Sequence, residues 1–156
     1  MSETLTGGCQ CGAVRFAIET PLNRASICHC RMCQKATGGP FMVTVGGKNL
    51  RWTRGAPARF QSSNKVARGF CAACGTPLTF KWNRLPEVLA IGAFDDPARL
   101  APAIQFCVAG RVPWLKGLSS VPESPLSDSP WVAEVVTYQH PDHDTQTWPP
   151  TDGAAG

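Results

Sequence analysis

Cys9-Gln10-Cys11, Cys28-His29-Cys30-Arg31-Met32-Cys33 and Cys71-Ala72-Ala73-Cys74 hold seven of the eight cysteines in this 156-residue chain. Cysteines one or two residues apart do not readily bond to each other, but they can turn their sulfurs toward one metal ion. Seven thiols divide into a closed set of four and an open set of three. A closed tetrahedral zinc site holds a fold together, whereas an open one keeps a position for a ligand and can do chemistry. Soft thiolates favour zinc over magnesium or calcium.

The residues next to the clusters suggest how they pair. Gly12 follows Cys11 and Gly75 follows Cys74, whereas Gln34 follows Cys33. A glycine there permits positive φ and leaves backbone N–H groups free to bond to sulfur. This likeness groups Cys9, Cys11, Cys71 and Cys74 as the closed site and leaves Cys28, Cys30 and Cys33 as the open one. Spacing alone gives similar weight to a two-knuckle zinc ribbon made of Cys30, Cys33, Cys71 and Cys74. An iron–sulfur cluster is a third option, although the spacing matches no ferredoxin pattern. His29 is expected to point away from the sulfurs on either side of it. Cys107, between Phe106 and Val108, is read as a small core residue rather than a fourth ligand.

Composition bounds the rest. The length suits one domain, placed at residues 1–148 with a disordered tail at 149–156. Fourteen prolines and fifteen glycines cut the chain into short pieces and argue against long helices. No apolar run is long enough to span a membrane. The first eight residues have neither a basic nor an apolar segment, so no signal peptide is expected and the chain is placed in the cytoplasm. Thiols stay reduced there, which argues against a disulfide framework. The formal charge of +4 counts every cysteine as neutral. Seven metal-bound thiolates and two zinc ions bring it to about +1, so the basic balance is weak support for nucleic-acid binding.

Short elements follow from the pattern. Val14, Phe16 and Ile18 alternate with Arg15 and Ala17, which predicts a half-buried strand closed by Pro21. Residues 31–37 predict one or two helical turns ended by Gly38-Gly39. Strands are expected at 41–45, 50–53, 59–62, 66–70, 78–82, 88–94 and 104–108. Asp95-Asp96-Pro97 reads as a turn. Residues 119–130 read as an extended connection, and 131–138 are ambiguous between helix and strand. The fold class is mainly β.

Three stretches together carry a resemblance: Gly7-Gly8-Cys9-Gln10-Cys11-Gly12-Ala13-Val14-Arg15-Phe16, the run from Cys28 to Gly38, and Arg68-Gly69-Phe70-Cys71-Ala72-Ala73-Cys74-Gly75. With Gly92-Ala93-Phe94-Asp95-Asp96-Pro97 and Pro113-Trp114, they resemble the glutathione-dependent formaldehyde-activating enzyme family, also named for centromere protein V. The likeness covers about residues 5–125. It implies a β-tent of short twisted antiparallel sheets organised around zinc. It implies a closed site at Cys9, Cys11, Cys71 and Cys74, and a catalytic zinc at Cys28, Cys30 and Cys33. The implied reaction is addition of glutathione to formaldehyde, classed as a carbon–sulfur lyase by its reverse. Gln105 stands where members often carry a histidine, and Ser119-Ser120-Val121-Pro122 where they often carry Asp-Gly ahead of the proline.

The expected chemistry at the open site is thiol activation. Three thiolates donate much charge, so zinc held by them is a poor source of hydroxide, but it can still bind and deprotonate a further thiol. Two zinc ions per chain are expected, the second partly occupied. A glutathione partner needs cations for its carboxylates, and Arg15, Arg31, Lys35, Arg68, Arg111 and Lys116 are the candidates. Trp52, Trp82 and Trp114 are candidates to wall the pocket, although each also reads as ordinary core. The competing reading is a non-catalytic zinc scaffold or interaction module. Oligomeric state is left open.

Overall fold

The strand expected around Phe16 forms at Arg15–Glu19 (β2), and it is buried on both faces rather than one. It lies between Thr4–Gly8 (β1) and Lys48–Arg54 (β5) in an antiparallel three-stranded sheet. One face carries Phe16, which packs edge-on against Trp52 and Phe94 with ring centroids 6.0 and 5.0 Å away. The other carries Arg15, which is taken out of water by carboxylates. Its guanidinium donates two bonds to Asp95, at 2.8 and 2.6 Å, and two more to Asp144, at 3.0 and 2.7 Å. A cation can be buried in a strand when its charge and its donors are met in this way.

These relationships come from a computed structural model that describes residues 2–20, 22–124 and 130–147. Pro21, part of the 119–130 connection, and the tail expected at 149–156 lie outside the described residues. The remaining strands are Ser26–Cys28 (β3), Met42–Val45 (β4), Ala58–Gln61 (β6), Val66–Phe70 (β7), Pro77–Trp82 (β8), Val88–Ala90 (β9) and Ile104–Phe106 (β10). They form a seven-stranded sheet in the order β10-β3-β4-β9-β8-β7-β6. Every pair in it is antiparallel except β10 with β3. The fold is mainly β, with one short α-helix, Arg31–Thr37 (α1), among the described residues.

Several sequence expectations need correction. The strand expected at 88–94 stops at Ala90, where the chain enters a 3-10 turn over Ile91–Ala93. That turn brings Phe94 back to bridge Gly7 and joins the two sheets. The strand expected at 104–108 stops at Phe106 because Cys107 takes a left-handed conformation with φ +54°. Part of the expected extended connection instead lies in a 3-10 segment over Pro113–Ser120. Residues 131–138 form neither helix nor strand but turns followed by irregular chain.

The C-terminal residues return to the first cysteine turn. His140 donates its backbone N–H to Gln10 at 2.7 Å, and Arg54 bonds to the backbone of Thr145. His140 is buried against Gly12, where a Cβ would stand 2.2 Å from the imidazole. Gly12 therefore serves two needs, a φ of +77° and room for a ring. No helix is long and apolar enough to cross a membrane among the described residues.

Candidate metal centres

The sulfurs of Cys9, Cys11, Cys71 and Cys74 lie within 4.8 Å of one another. Those of Cys28, Cys30 and Cys33 form a second group under the same limit, joined by no other His, Cys, Asp or Glu among the described residues. The ribbon combination of Cys30 and Cys33 with Cys71 and Cys74 is not brought together. All eight thiols are free of disulfides.

The four-thiol group belongs to the main core: Cys9 and Cys71 are buried beside Val14 and Leu78. Cys9 and Cys11 sit 3.6 Å apart, and Cys11 and Cys71 3.8 Å apart. A tetrahedron with zinc–sulfur bonds of about 2.3 Å has edges of about 3.8 Å, so this donor set fits zinc. Both turns end on the glycines the sequence singles out, Gly12 at φ +77° and Gly75 at φ +78°. The turns leave polar groups facing sulfur. Val14 N–H donates to Cys9 at 3.2 Å, and the Thr76 hydroxyl lies 3.2 Å from Cys74. Burial pushes the Cys9 thiol up to about 12. At Cys74 burial opposes ionisation, but the Thr76 hydroxyl and backbone N–H bring its pKa down to about 6.

The three-thiol group is built differently. Cys28 ends β3, and Cys30 caps α1, its sulfur accepting the Cys33 N–H at 3.4 Å. A helix start leaves its first N–H groups free, so this turn presents donors to sulfur without the glycine of the other two. Gln34 locks the arrangement by donating to the carbonyls of His29 and Gly110, both at 2.9 Å. His29 turns away from the sulfurs, as expected, and donates Nε2–H to Gln105 at 2.8 Å. Gln105 thus meets the histidine side chain directly. The donor set again fits a soft metal: three thiols converge, and Cys33 and Cys30 each accept a hydrogen bond from the protein.

Arg68 is the residue whose part the sequence conceals. From β7 it reaches behind the cluster, buried, with Nη2 at 3.4 Å from the Cys33 sulfur and Nη1 at 3.3 Å from the Met42 sulfur. Its guanidinium also stands 5.2 Å over the Phe80 ring, and Nε donates to Ser62. No carboxylate pairs with it among the described residues. Burial pushes the Cys33 and Cys28 thiols up, and Arg68 offsets part of that at Cys33. Burial also opposes ionisation of Cys30, yet backbone N–H groups of Cys33 and Met32 hold it below its ordinary value. Sequence marks Arg68 as one candidate cation among six, at the head of the third cysteine stretch, but not as a partner of Cys33.

A cavity of about 390 Å³ opens beside this cluster. Cys28, Cys33 and Cys107 contribute to its wall, with Met42, Phe80, Trp82, Val88 and Phe106. Cys107 is exposed, so the core reading of it is corrected: the turn after β10 swings it out of the sheet. Trp82 is a wall of the cavity and not core, Trp52 is core, and Trp114 is 58% exposed. None of the six candidate cations lines the cavity. Arg15 is engaged by Asp95 and Asp144, and Arg31 donates to Gln34.

Short strands gathered around two separate thiol clusters, each able to hold a metal ion, define a small cysteine-organised β protein. The chain belongs to the glutathione-dependent formaldehyde-activating enzyme family, whose profile matches residues 4–109. A Halomonas elongata protein named "Putative glutathione-dependent formaldehyde-activating enzyme" is 27% identical over 128 residues, covering 72% of this chain and 80% of the relative. A crystal structure of a Rhodobacter sphaeroides protein superposes with a TM-score of 0.52 at 23% identity, covering 65% of this chain and all of that one. That likeness supports the fold alone.

Proposed function

We propose that the chain is a zinc-dependent enzyme of the carbon–sulfur lyase type, adding a thiol to formaldehyde or a related small electrophile at Cys28, Cys30 and Cys33. The observation that carries this reading is three converging thiols, with no fourth protein ligand among the described residues, beside an open cavity. Cys9, Cys11, Cys71 and Cys74 would hold a second, structural zinc. The family is named for glutathione, which makes it the first thiol to test. The reduced thiols suit the cytoplasm.

Zinc held by Cys28, Cys30 and Cys33 would supply one thing, an open coordination position that lowers the pKa of a further thiol. The protein does the rest. Gln34 and the start of α1 fix the three sulfurs. Three thiolates and one divalent ion leave a net charge of −1, and Arg68 stands against it. In the reaction the incoming sulfur forms a bond to the carbonyl carbon. The carbon–oxygen π pair moves to oxygen, which takes up one proton to replace the one the thiol lost. The product is an S-hydroxymethyl thioether, and the reverse step cleaves its carbon–sulfur bond.

The test is a rate measurement on zinc-loaded protein with formaldehyde and a panel of thiols, the uncatalysed addition being subtracted. Acceleration that disappears in Cys30→Ser supports the reading. A folded, zinc-loaded protein that accelerates no thiol leaves the non-catalytic scaffold as the better account.

A further inference from the structure

The cavity beside Cys28 and Cys33 has the wrong chemistry for a charged tripeptide. Among the described residues, the twelve that line it include no Asp, Glu, Lys, Arg or His. Met42, Phe80, Trp82, Leu85, Pro86 and Val88 are half of these, and the hydroxyls of Ser26 and Thr44 are the only side-chain oxygens among them. Glutathione carries two carboxylates and an ammonium. Bringing any of them against this wall removes hydration that two hydroxyls and no opposite charge are there to replace.

Size points the same way. An apolar cavity of about 150 Å³ holds a benzene ring. The volume of about 390 Å³ therefore accepts an aryl or branched alkyl group together with a one-carbon electrophile. Formaldehyde alone would leave most of it unfilled. Because two of the cluster's own cysteines line the cavity, a substituent attached directly to the incoming sulfur is the group best placed to enter it.

We infer that the thiol used at the Cys28–Cys30–Cys33 cluster is an uncharged aryl or alkyl thiol whose substituent fills this cavity, rather than glutathione. The inference rests on the proposed thiol addition and names its substrate class. The sulfur–carbon bond forms and the proton moves as described above; only the thiol's substituent changes.

The test is binding to the zinc-loaded protein, read by calorimetry and by tryptophan fluorescence. The probes are phenylmethanethiol, glutathione, the S-methyl derivative of each, and benzaldehyde. Phenylmethanethiol is expected to bind at least about tenfold tighter than glutathione and than its own S-methyl ether. It should also change a fluorescence signal that is lost in Trp82→Phe. Leu85 is 59% exposed in the turn between β8 and β9, so Leu85→Lys is expected to fold normally. It should weaken phenylmethanethiol and strengthen glutathione. Glutathione binding as tightly as phenylmethanethiol, with its S-methyl derivative not binding, would overturn the inference and leave the proposed function standing. A tight benzaldehyde complex with no preference between the thiols would move the apolar group to the carbonyl partner and also overturn it. Thiols and S-methyl derivatives binding alike would remove the proposed thiol chemistry itself.

Discussion

The guanidinium of Arg68 lies 3.4 Å from the sulfur of Cys33, in a buried setting with no carboxylate partner among the described residues. A cation placed so is costly beside neutral thiols and well matched to thiolates. Arg68→Met is expected to weaken zinc retention at the three-cysteine cluster by about 10–100-fold, the usual effect of removing an outer partner of a metal ligand. Arg68→Lys, which keeps the charge but loses the fork, should fall between. Chelator competition measures both. Zinc retention unchanged in Arg68→Met would show that the contact does not tune the site.

The two clusters should fail differently. Cys9 and Cys71 sit in the main core, and structural zinc contributes on the order of 10 kcal/mol, comparable to the stability of a whole domain. Cys71→Ser is therefore expected to be insoluble or unfolded. Cys30→Ser should unfold cooperatively near the wild-type temperature and lose one zinc. Metal content with thermal unfolding distinguishes them, and soluble Cys71→Ser with unchanged zinc would contradict the assignment.

Much of this was legible in sequence, for identifiable reasons. Cysteine spacing marked the three short ligand stretches because each is local, and Gly12 and Gly75 favoured pairing the first stretch with the third because only certain residues tolerate positive φ. β7 matched its expected limits because the turn residues Ser62-Ser63-Asn64 precede it and Cys71 follows it. What stayed hidden depends on distant partners. Arg15 looked like a solvent-facing strand residue because Asp95 and Asp144 are 80 and 129 residues away. β1 carries two glycines and little apolar signal, and its pairing with β2 decides it. The cavity wall draws on β3, β4, β8, β9 and β10, so no single stretch displays it.

Acid should loosen the Arg15 site. Burial tends to raise the Asp95 pKa, but Arg15 and the Thr6 hydroxyl prevail and hold the carboxyl below its ordinary value. A depressed folded-state pKa contributes stability that is present above the unfolded value, about 3.9, and lost as pH falls through the folded one. Asp95→Asn should cost about 1.5–3 kcal/mol at neutral pH, because it removes one of the two carboxylates that meet a buried guanidinium. Its unfolding free energy should then vary less with pH below about 4 than that of the wild type. Denaturant titrations across pH check both.

The C-terminal segment should report on the first cysteine turn. Gly12→Ala places a methyl group 2.2 Å from the His140 ring at a φ of +77°. A loss of about 1–3 kcal/mol is expected, with faster proteolysis near residues 139–147. His140→Ala should recover part of it in a double-mutant cycle, since the clash is removed and the backbone strain remains. Strictly additive effects would show that the contact is not made.

The central claim is that Cys28, Cys30 and Cys33 form an open metal site that takes a thiol. Cobalt(II) substitution reads it directly, because thiolate-to-cobalt charge transfer and the ligand-field bands report the number and type of ligands. The cobalt-loaded protein is expected to show two tetrahedral-type sites, and adding a thiol should intensify the thiolate band of one. That response should be absent with the S-methyl ether and in Cys30→Ser. A fully loaded spectrum unmoved by any thiol would contradict the account.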